Sequence, residues 1–569
     1  MSDTQASAPD ARPPHAPSRA AALFLLATVF CSGTAVMIVE MTAIRVLQPS
    51  FGSTNYVWTN VIAVVLAALS IGYAVGGRIS DRRPSAVVLY SVLGVAGLLV
   101  AASAPLATPV CEWLLPVSLH VEGVARTLAE GSLAATLVLF APPMLLLGMV
   151  SPFAVRLLAD AGVGRAAGSV FAVGTVGSIM GTFLPTYVLV PHVGSRSTLI
   201  VAAALLVLPA AAGLVRFARV RGALGAVAVV ATAILPAVVV QATPGRPVPP
   251  LPDGGVAEVL AEGESPYQYA SVREDRFPEG VTYRLLCLNE GVYTYHSFRV
   301  MGKVLTNSRY YDDYALLPLL LDLPPGAELR GAVVGLAGGV TPHQWRHFWS
   351  GIYDLQVDGA EIDPLVVEYG RRWFHLPETD EPWLRVHVMD GRQMLAAAPA
   401  ASGAGDGYHM IVVDAFTHEL YIPFHVGTRE FFELCRSRLA PGGLLAMNVY
   451  AARPDSPNLN AIENTVASVF GSVVRARQSF GGNFVLVARN ADTPPDVTRL
   501  APARIENRFG RREDVPEWTD LVRLAQAVPG KSLRVTARDD ELVLTDDYAP
   551  LEWLMDRMID AMEREVRGQ

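Results

Sequence analysis

The sequence predicts a chain of two parts: an α-helical membrane bundle, followed by a small β-rich segment and a doubly wound α/β domain. Hydrophobic residues make up 51% of the 569 residues and charged residues only 17%, and nearly all of the apolar excess lies before residue 243. After residue 258, short apolar runs alternate with helical segments, which is typical of a parallel sheet with helices on both faces. Composition thus separates a membrane half from a soluble half.

The predicted boundaries follow changes in composition. Residues 1–19 are rich in Pro, Ala and Ser and are expected to be a disordered tail. Residues 20–242 form a transmembrane bundle of about seven helices, and 243–257 are a Pro- and Gly-rich linker of intermediate stiffness. Residues 258–309 are the β-rich segment, and residues 310–569 are the α/β domain.

Seven apolar runs have about the 17–25 residues needed to cross the hydrocarbon core. They are Ala20–Glu40, Val57–Gly76, Ala86–Thr108, Leu133–Val150, Ser169–Val190, Ser197–Val215 and Ala223–Val240. We therefore expect a multi-pass protein of the inner (plasma) membrane. Arginines follow the second, fourth and sixth runs, which places the N-terminus in the cytoplasm. Seven crossings would then leave the soluble half outside. A cytosolic location would suit the chemistry of that half better, so its side stays open.

Charge and cysteine usage exclude other classes. The net charge of −8 argues against a nucleic-acid partner. The four cysteines are scattered without metal-ligand or disulfide spacing. No metal is expected.

Acids follow three strand-like runs of the α/β domain. Glu361 and Asp363 follow the run that begins at Ile352, Asp390 follows Leu384–Met389, and Asp414 follows Met410–Val413. Open α/β sheets bind ligands outside the carboxyl ends of their strands, and an acid after the second strand suits the hydroxyls of a ribose. The alternative is a set of solvated acids at strand ends.

A glycine-rich turn precedes these acids. Gly335, Gly338 and Gly339 come directly after an apolar run and before a helical segment. The turn lacks the third glycine of the dinucleotide fingerprint, so taken alone it is a weak signal.

A cluster of acids and tyrosines opens a helix at residue 310. Asp312 and Asp313 lie among Tyr310, Tyr311 and Tyr314, and together they could hold a cationic amine by charge and aromatic faces. A helix start also favours Asp because of its dipole, and both interpretations remain open. Near the C-terminus, a hairpin after five parallel strands predicts a Rossmann-like, seven-stranded methyltransferase-type sheet.

Taken in order, these pieces resemble the spermidine/spermine synthase (aminopropyltransferase) family. The whole chain resembles its membrane-fused branch, in which a multi-span, major-facilitator-like domain precedes the synthase-like domain. The matching segments are Ser265-Pro266-Tyr267-Gln268, Leu288 to Gly291, Val334 to Val340, Glu361-Ile362-Asp363, Asp390-Gly391, Asp414 and Thr545-Asp546-Asp547.

The resemblance implies a transferase of polyamine biosynthesis with S-adenosylmethionine or its decarboxylated form as cosubstrate. Asp414 would be the catalytic proton acceptor. The implied cosubstrate-binding residues are Gln268, Gly335, Gly338, Gly339, Glu361, Asp363, Asp390 and Gly391. The implied acceptor-binding residues are Tyr267, Tyr310, Tyr311, Asp312, Asp313 and His418. The expected partners are an amine or polyamine, a lipid-linked amine being one option, together with membrane lipid; a homodimer is left open.

The sequence departs from the family at two acidic positions. The catalytic loop that begins at Asp414 ends in Thr417 instead of a second Asp, and an Asp-Glu pair of the family falls near Thr306-Asn307. These acids recognise amines in the soluble synthases, so their loss puts ordinary putrescine chemistry in doubt. Two alternatives therefore stand: a polyamine or cation transporter with a non-catalytic nucleoside-sensing domain, and an S-adenosylmethionine-dependent methyltransferase.

Overall fold

The structure is a computed structural model that describes residues 18–51, 55–114, 124–159, 162–242, 251, 254–289, 295–307, 309–379, 381–401, 406–416, 421–478 and 482–566. The chain forms two compact units, and the boundary after the helical half falls between Pro244 and Gly245. Most of the predicted tail and linker lies outside the described residues.

The described part of the N-terminal unit is helical. Its helices are α1 (Arg19–Phe51), α2 (Asn55–Arg82), α3 (Ala86–Leu114), α4 (Val124–Leu139), α5 (Ala141–Gly148), α6 (Val150–Leu158), α7 (Val163–Leu184) and α8 (Val190–Ala242), with a π-helical turn, Pro185–Leu189, between the last two. Apolar side chains such as Leu66, Phe171 and Val227 are between 55% and 67% exposed. An apolar outer surface suits a lipid environment.

Six helical runs of the described residues are long and apolar enough to cross a membrane. They are Arg19–Gln48, Val57–Arg82, Ala86–Cys111, Ala141–Leu158, Val163–Ala218 and Gly222–Val240. The fifth run is 56 residues long and includes both the fifth and the sixth predicted spans. Gly194, which lies between those two spans, has a φ of 78°. Regular helical geometry is interrupted there, because a right-handed helix requires a negative φ.

Glycines bring helices of this unit close together. A Cβ on Gly72 of α2 would lie 2.1 Å from the backbone oxygen of Leu145 in α5, and a Cβ on Gly181 of α7 would lie 2.2 Å from that of Thr34 in α1. Only glycine permits such an approach, which is typical of helix packing in membranes.

The C-terminal unit begins with a four-stranded antiparallel sheet in the order β1-β2-β3-β4. Its strands are β1 (Val256–Glu264), β2 (Tyr269–Arg276), β3 (Thr282–Leu288) and β4 (Ser297–Val300). Two short helices follow, α9 (Tyr310–Ala315) and α10 (Leu317–Leu320).

The rest of the unit is an α/β sandwich around an eight-stranded sheet in the order β12-β10-β11-β9-β8-β5-β6-β7. Its strands are β5 (Glu328–Val334), β6 (Asp354–Glu361), β7 (Leu384–Val388), β8 (Tyr408–Val413), β9 (Leu439–Tyr450), β10 (Ser472–Arg477), β11 (Asn483–Arg489) and β12 (Ser532–Thr536). Its helices are α11 (Val340–Trp349), α12 (Pro364–Trp373), α13 (Gly391–Ala397), α14 (Arg429–Arg438), α15 (Pro457–Phe470), α16 (Pro502–Phe509), α17 (Trp518–Ala527) and α18 (Leu551–Val566).

The predicted fold class is confirmed, with one correction to the strand count. Strands β5 to β9 are parallel to their neighbours within that group, and β10 and β11 form the predicted antiparallel hairpin. The sheet has an eighth strand because β12 pairs antiparallel with β10. Two hydrophobic cores cover its faces, one containing Phe431, Phe432 and Leu459 and the other Trp345, Phe348 and Trp349.

The order of the strands locates a crevice. Strand β5 lies between β6 and β8, so the chain order reverses there. At such a switch point the connections leave towards opposite faces, and ligands bind outside the carboxyl ends of the strands. Glu361 ends β6 and Asp414 directly follows β8, so both lie at this edge.

Candidate active site

Asp414 is held in place by the backbone of the neighbouring strand. Its amide N–H donates to the carbonyl oxygen of Val334, at 2.8 Å. Gly335 packs directly against it: with a φ of 88°, a Cβ at this glycine would lie 2.4 Å from the backbone oxygen of Asp414. The first glycine of the turn is therefore required for the position of Asp414.

The Asp414 carboxyl is partly exposed and makes two side-chain hydrogen bonds. Asn448 in β9 donates through Nδ2 to Oδ1 at 3.2 Å, and the second bond is with Tyr310. Burial raises the pKa of Asp414 to about 7, although these two bonds act in the opposite direction. A carboxyl with that pKa can take up or release a proton near neutral pH.

A second amide fixes the orientation of Asn448. Asn483 in β11 donates through Nδ2 to Oδ1 of Asn448, at 2.9 Å. Since its oxygen accepts this bond, Asn448 presents its amino group to Asp414. Sequence reasoning missed both amides because a single Asn at the end of a strand carries no distinctive pattern.

Glu361 closes the glycine turn from the next strand. The Ala337 N–H donates to Oε2 at 2.9 Å and the Asp363 N–H to Oε1 at 3.1 Å. The residue is only 8% exposed, and burial raises its pKa to about 7 in spite of those N–H donors. The Ile362 N–H is a third donor to this carboxylate, which leaves about one of its roughly four acceptor positions for a further hydrogen bond.

Two predicted cosubstrate contacts are used inside the protein. The Gly338 N–H donates to Oγ of Ser297 at 2.7 Å, so this donor is already occupied. Asp363 is fully buried; its Oδ1 accepts from the Leu365 N–H at the start of α12, at 2.9 Å, and its Oδ2 from the Ser265 hydroxyl, at 2.7 Å. Asp363 is the N-cap of α12 and anchors the turn at 265, and its assignment as a nucleoside contact stays a prediction.

That anchored turn carries Tyr267 and Gln268. The Ser265 hydroxyl oxygen accepts from the backbone N–H groups of both residues, at 3.0 and 3.1 Å. The Gln268 side chain also hydrogen-bonds to Asp363. Half of the Tyr267 side chain is exposed. Asp363 therefore influences the site through the position of these two residues.

Gly339 and Gly391 are required by packing. Gly339, with a φ of 77°, precedes α11, and a Cβ there would lie 2.4 Å from the side chain of Leu376. A Cβ on Gly391 would lie 2.5 Å from the side chain of Val334. The second contact fits the start of α13 tightly against β5.

Asp390 caps α13 and pairs with a histidine. Its Oδ1 accepts from the Gln393 N–H at 3.0 Å, and its Oδ2 lies 2.9 Å from Nε2 of His425. The bond with His425 lowers the pKa of Asp390. His425 was missed by sequence reasoning, since it lies far along the chain in an irregular segment.

The C-terminal motif joins this end of the site. Arg392, in the first turn of α13, donates to both carboxylate oxygens of Asp546, at 2.7 and 2.6 Å. The Thr428 hydroxyl donates to the same carboxylate at 2.7 Å. Asp546 therefore joins the segment before α18, which begins at Leu551, to the start of α13.

The acid and tyrosine cluster of α9 divides into two roles. Asp312 is 1% exposed, and its Oδ1 accepts from the N–H and hydroxyl of Thr306 and from Gln344. Asp312 holds the 306 turn against α11, and its assignment to amine binding stays a prediction. Asp313 is partly exposed instead, and Nε2 of Gln478 donates to its carboxylate. Burial, followed by the charge of Asp312, raises the pKa of Asp313 to about 7.

The tyrosines of α9 pack against one another beside Asp414. The rings of Tyr310 and Tyr311 have centroids 4.1 Å apart, and the Tyr311 hydroxyl donates to the carbonyl oxygen of His296 at 3.2 Å. Burial raises the pKa of both phenols well above the usual value, so they remain neutral. His418, the last predicted acceptor contact, lies outside the described residues.

Comparisons with known proteins bear on the soluble half. No protein-family model matches the chain. A probable polyamine aminopropyl transferase of Bifidobacterium longum is 28% identical over 314 residues, which cover 54% of this chain and 64% of that protein. A polyamine aminopropyltransferase of Vibrio vulnificus is 30% identical over 166 residues, or 29% of this chain and 52% of that protein.

A solved structure described as a probable spermidine synthase from Corynebacterium glutamicum aligns with 50% of this chain and 97% of its own, at 20% identity and a TM-score of 0.33. The chain spans between about half and two thirds of the length of the two curated relatives. The two curated relatives confirm the resemblance predicted from the sequence: the chain is similar to polyamine aminopropyltransferases over part of its length, and apolar helices make up the described part of its N-terminal half.

Proposed function

We propose that the chain is an integral-membrane transferase of the spermidine synthase type. It would move an aminopropyl group from decarboxylated S-adenosylmethionine, or another alkyl group from S-adenosylmethionine, to an amine or polyamine. The observation that carries the proposal is Asp414: its pKa is about 7, and it lies at the switch point of the sheet.

The nucleoside would lie between Glu361 and Asp414. Their strands are separated by β5 alone, so the two carboxyls are about 10 Å apart by the usual strand spacing. With three backbone N–H groups as donors, the Glu361 carboxylate keeps about one of its roughly four acceptor positions for a ribose hydroxyl. The Asp390–His425 pair lies beyond Glu361, at the end of β7, where the base of the nucleoside would lie.

The reaction requires a neutral amine. An alkyl ammonium has a pKa of about 10.4, so fewer than roughly one in a thousand is neutral at pH 7. Asp414, about half ionised at that pH, can accept the ammonium proton. The amine nitrogen then forms a bond to the carbon next to the sulfonium, and the carbon–sulfur bond breaks with its electron pair staying on sulfur. Orientation of the two reactants alone can contribute several kcal/mol.

The test uses the purified full chain in detergent. Calorimetry measures binding of each sulfonium nucleoside, and mass spectrometry measures transfer to a mixture of polyamines and amino lipids. We expect Asp414→Asn to bind nucleoside within about twofold of the parent and to lose transfer by at least a hundredfold. Asp539→Asn, at an exposed position in the turn after β12, is the matched control. Full transfer by Asp414→Asn would remove Asp414 from the mechanism.

The internal bonding of Asp312 favours a second candidate. With Asp312 holding Thr306 and Gln344, one of the two predicted amine-binding acids is unavailable, as expected of a nucleoside-sensing domain joined to a transporter-like bundle. Nucleoside binding without any product would support that function. Methylated products would instead identify a methyltransferase.

A further inference from the structure

We propose that the acceptor carries an anionic group, a carboxylate or a phosphate, in addition to its reacting amine, and that a basic pocket beside Gln478 binds this group. The inference rests on the proposed function and deepens it by naming the class of acceptor. We call this feature the β10 pocket.

The β10 pocket has a volume of about 460 Å³ and is lined by Arg475, Arg477, Lys531, Phe484 and Gln478, together with small and apolar residues. Among the described residues, its lining includes three cationic side chains and no carboxylate. A concave surface of one charge sign concentrates ligands of the opposite sign.

The two arginines differ in how their charges are balanced. Arg475 pairs with the buried Glu463, at 3.0 Å, and so belongs to the fold. Arg477 is exposed at the end of β10, and within the described residues its interaction is with the Phe484 ring, 5.8 Å from the guanidinium carbon. A guanidinium held over an aromatic ring and not paired with an acid is suited to bind a carboxylate or phosphate in two-pronged fashion.

The pocket adjoins the candidate acceptor site. Gln478 lines it and also donates to the carboxylate of Asp313. Lys531 is near enough for its charge to act on Asp313. Asp313 belongs to the same helix as Tyr310, which contacts Asp414. Tyr310, Asp313 and Gln478 thus lie between the proposed proton acceptor and the pocket.

The sheet sets the length of the acceptor. Asp414 follows β8 and Arg477 ends β10, and β9 and β11 lie between them. Both residues are at the same edge, because β10 runs parallel to β9 and β8 through its antiparallel partner β11. Three strand spacings amount to about 14 Å. Arg477 is opposite Phe484 and so points to the other face of the sheet from Asn448. An acceptor of at least that length, with its amine at Asp414, passes over the edge beside Gln478 and reaches Arg477 with its other end.

The substituted acids agree with this assignment. Thr306-Asn307 and Thr417 stand where the resemblance leads one to expect carboxylates. A diamine brings two positive charges, and its far end would face Arg477 and Lys531. Like charges repel across a binding site, so the β10 pocket selects against a diamine as well as for an anion.

The test compares acceptors of equal length. The full chain in detergent, saturated with decarboxylated S-adenosylmethionine, receives α,ω-diamines, ω-amino carboxylates and ω-aminoalkyl phosphates with six to twelve carbons. We expect kcat/KM for the anionic acceptors to exceed that for the diamines by at least tenfold. Arg477→Glu should lower that ratio tenfold or more, whereas Arg523→Glu, an exposed arginine of α17 outside the pocket, should leave it unchanged.

A further experiment distinguishes a lipid phosphate from the anionic group of a small molecule. Protein in nanodiscs of phosphatidylethanolamine, with no soluble acceptor, forms an alkylated lipid if the group is a lipid phosphate. If only the soluble amino acids or amino phosphates react, the acceptor is a small molecule. Both results support an anionic acceptor.

Other results would refute the inference or the proposed function. A preference for diamines that Arg477→Glu leaves unaltered overturns the inference and leaves the proposed function standing. If no acceptor reacts, the proposed function fails. Calorimetry then tests separately whether the β10 pocket binds a ω-aminoalkyl phosphate. Loss of binding in Arg477→Glu supports the pocket, and equal binding by both proteins refutes it.

Discussion

Replacing Asn448 by Ala tests whether Asp414 is the titrating group of the reaction. The Asn448 amide donates to the Asp414 carboxylate at 3.2 Å and so stabilises its charged form. A hydrogen bond to a charged group contributes about 1.5–3 kcal/mol, and the lower value suits this long contact with a partly exposed carboxyl. At about 1.36 kcal/mol for each pKa unit, its loss raises the pKa of Asp414 by about one unit.

The sign of the effect follows from the proposed role. Because the ionised carboxylate accepts the proton, a higher pKa lowers the active fraction at acidic and neutral pH. We expect the acidic limb of kcat/KM to move up by about one pH unit, with the rates of the two proteins converging above pH 9. The assay is a pH–rate profile from 5.5 to 9.5 at saturating nucleoside. Asn460→Ala is the control, since that amide reaches only the Asp455 backbone oxygen, at 3.4 Å. An equal loss at every pH, with the limb in place, would show that Asn448 acts through packing and not through Asp414.

Two further predictions concern the same edge of the sheet. Gly335→Ala should abolish transfer, because its Cβ would lie 2.4 Å from the Asp414 backbone oxygen. The control Gly471→Ala, with a similar φ of 81° and open space around it, should cost only about 1–2 kcal/mol of stability. Chemical unfolding and activity assays of both variants distinguish backbone strain from displacement of Asp414. Asp414→Asn should raise the Tm at pH 8 relative to the Tm at pH 5, compared with the parent protein. A pKa raised from 3.8 to about 7 means that the native parent holds this proton more tightly than the unfolded chain and loses stability as pH rises through that interval. An unchanged difference would show that Asp414 ionises as freely in the folded protein as in the unfolded one.

The sequence predicted the sheet and its acids because both depend on local patterns. Buried parallel strands are continuous apolar runs, and the acids follow them directly. The sequence alone therefore predicted that Glu361, Asp390 and Asp414 lie at one edge of the sheet. Strand β12 was missed because it is an exposed edge strand: Leu533 is 55% exposed, and the segment lacks the apolar run of its neighbours.

What each acid does could not be predicted in the same way. Asp363 and Asp312 have the residue type and position expected of ligand contacts, yet both carboxylates are hydrogen-bonded within the domain. Whether an acid caps a helix or faces a cavity depends on which distant groups reach it. For the same reason Asn448, Asn483 and Gln478 emerged only from the structure, since strands far apart in the chain bring them together.

The Arg392–Asp546 contact has a consequence for biosynthesis. The segment before α18 supplies a carboxylate to α13 and, through Leu544, a carbonyl oxygen to the Arg429 N–H at the start of α14. These partners lie more than a hundred residues earlier in the chain. The end of the crevice at Asp390 and His425 is therefore completed only after translation has passed Asp546. A nascent chain that is still short of that point has the strands of the sheet but lacks this contact.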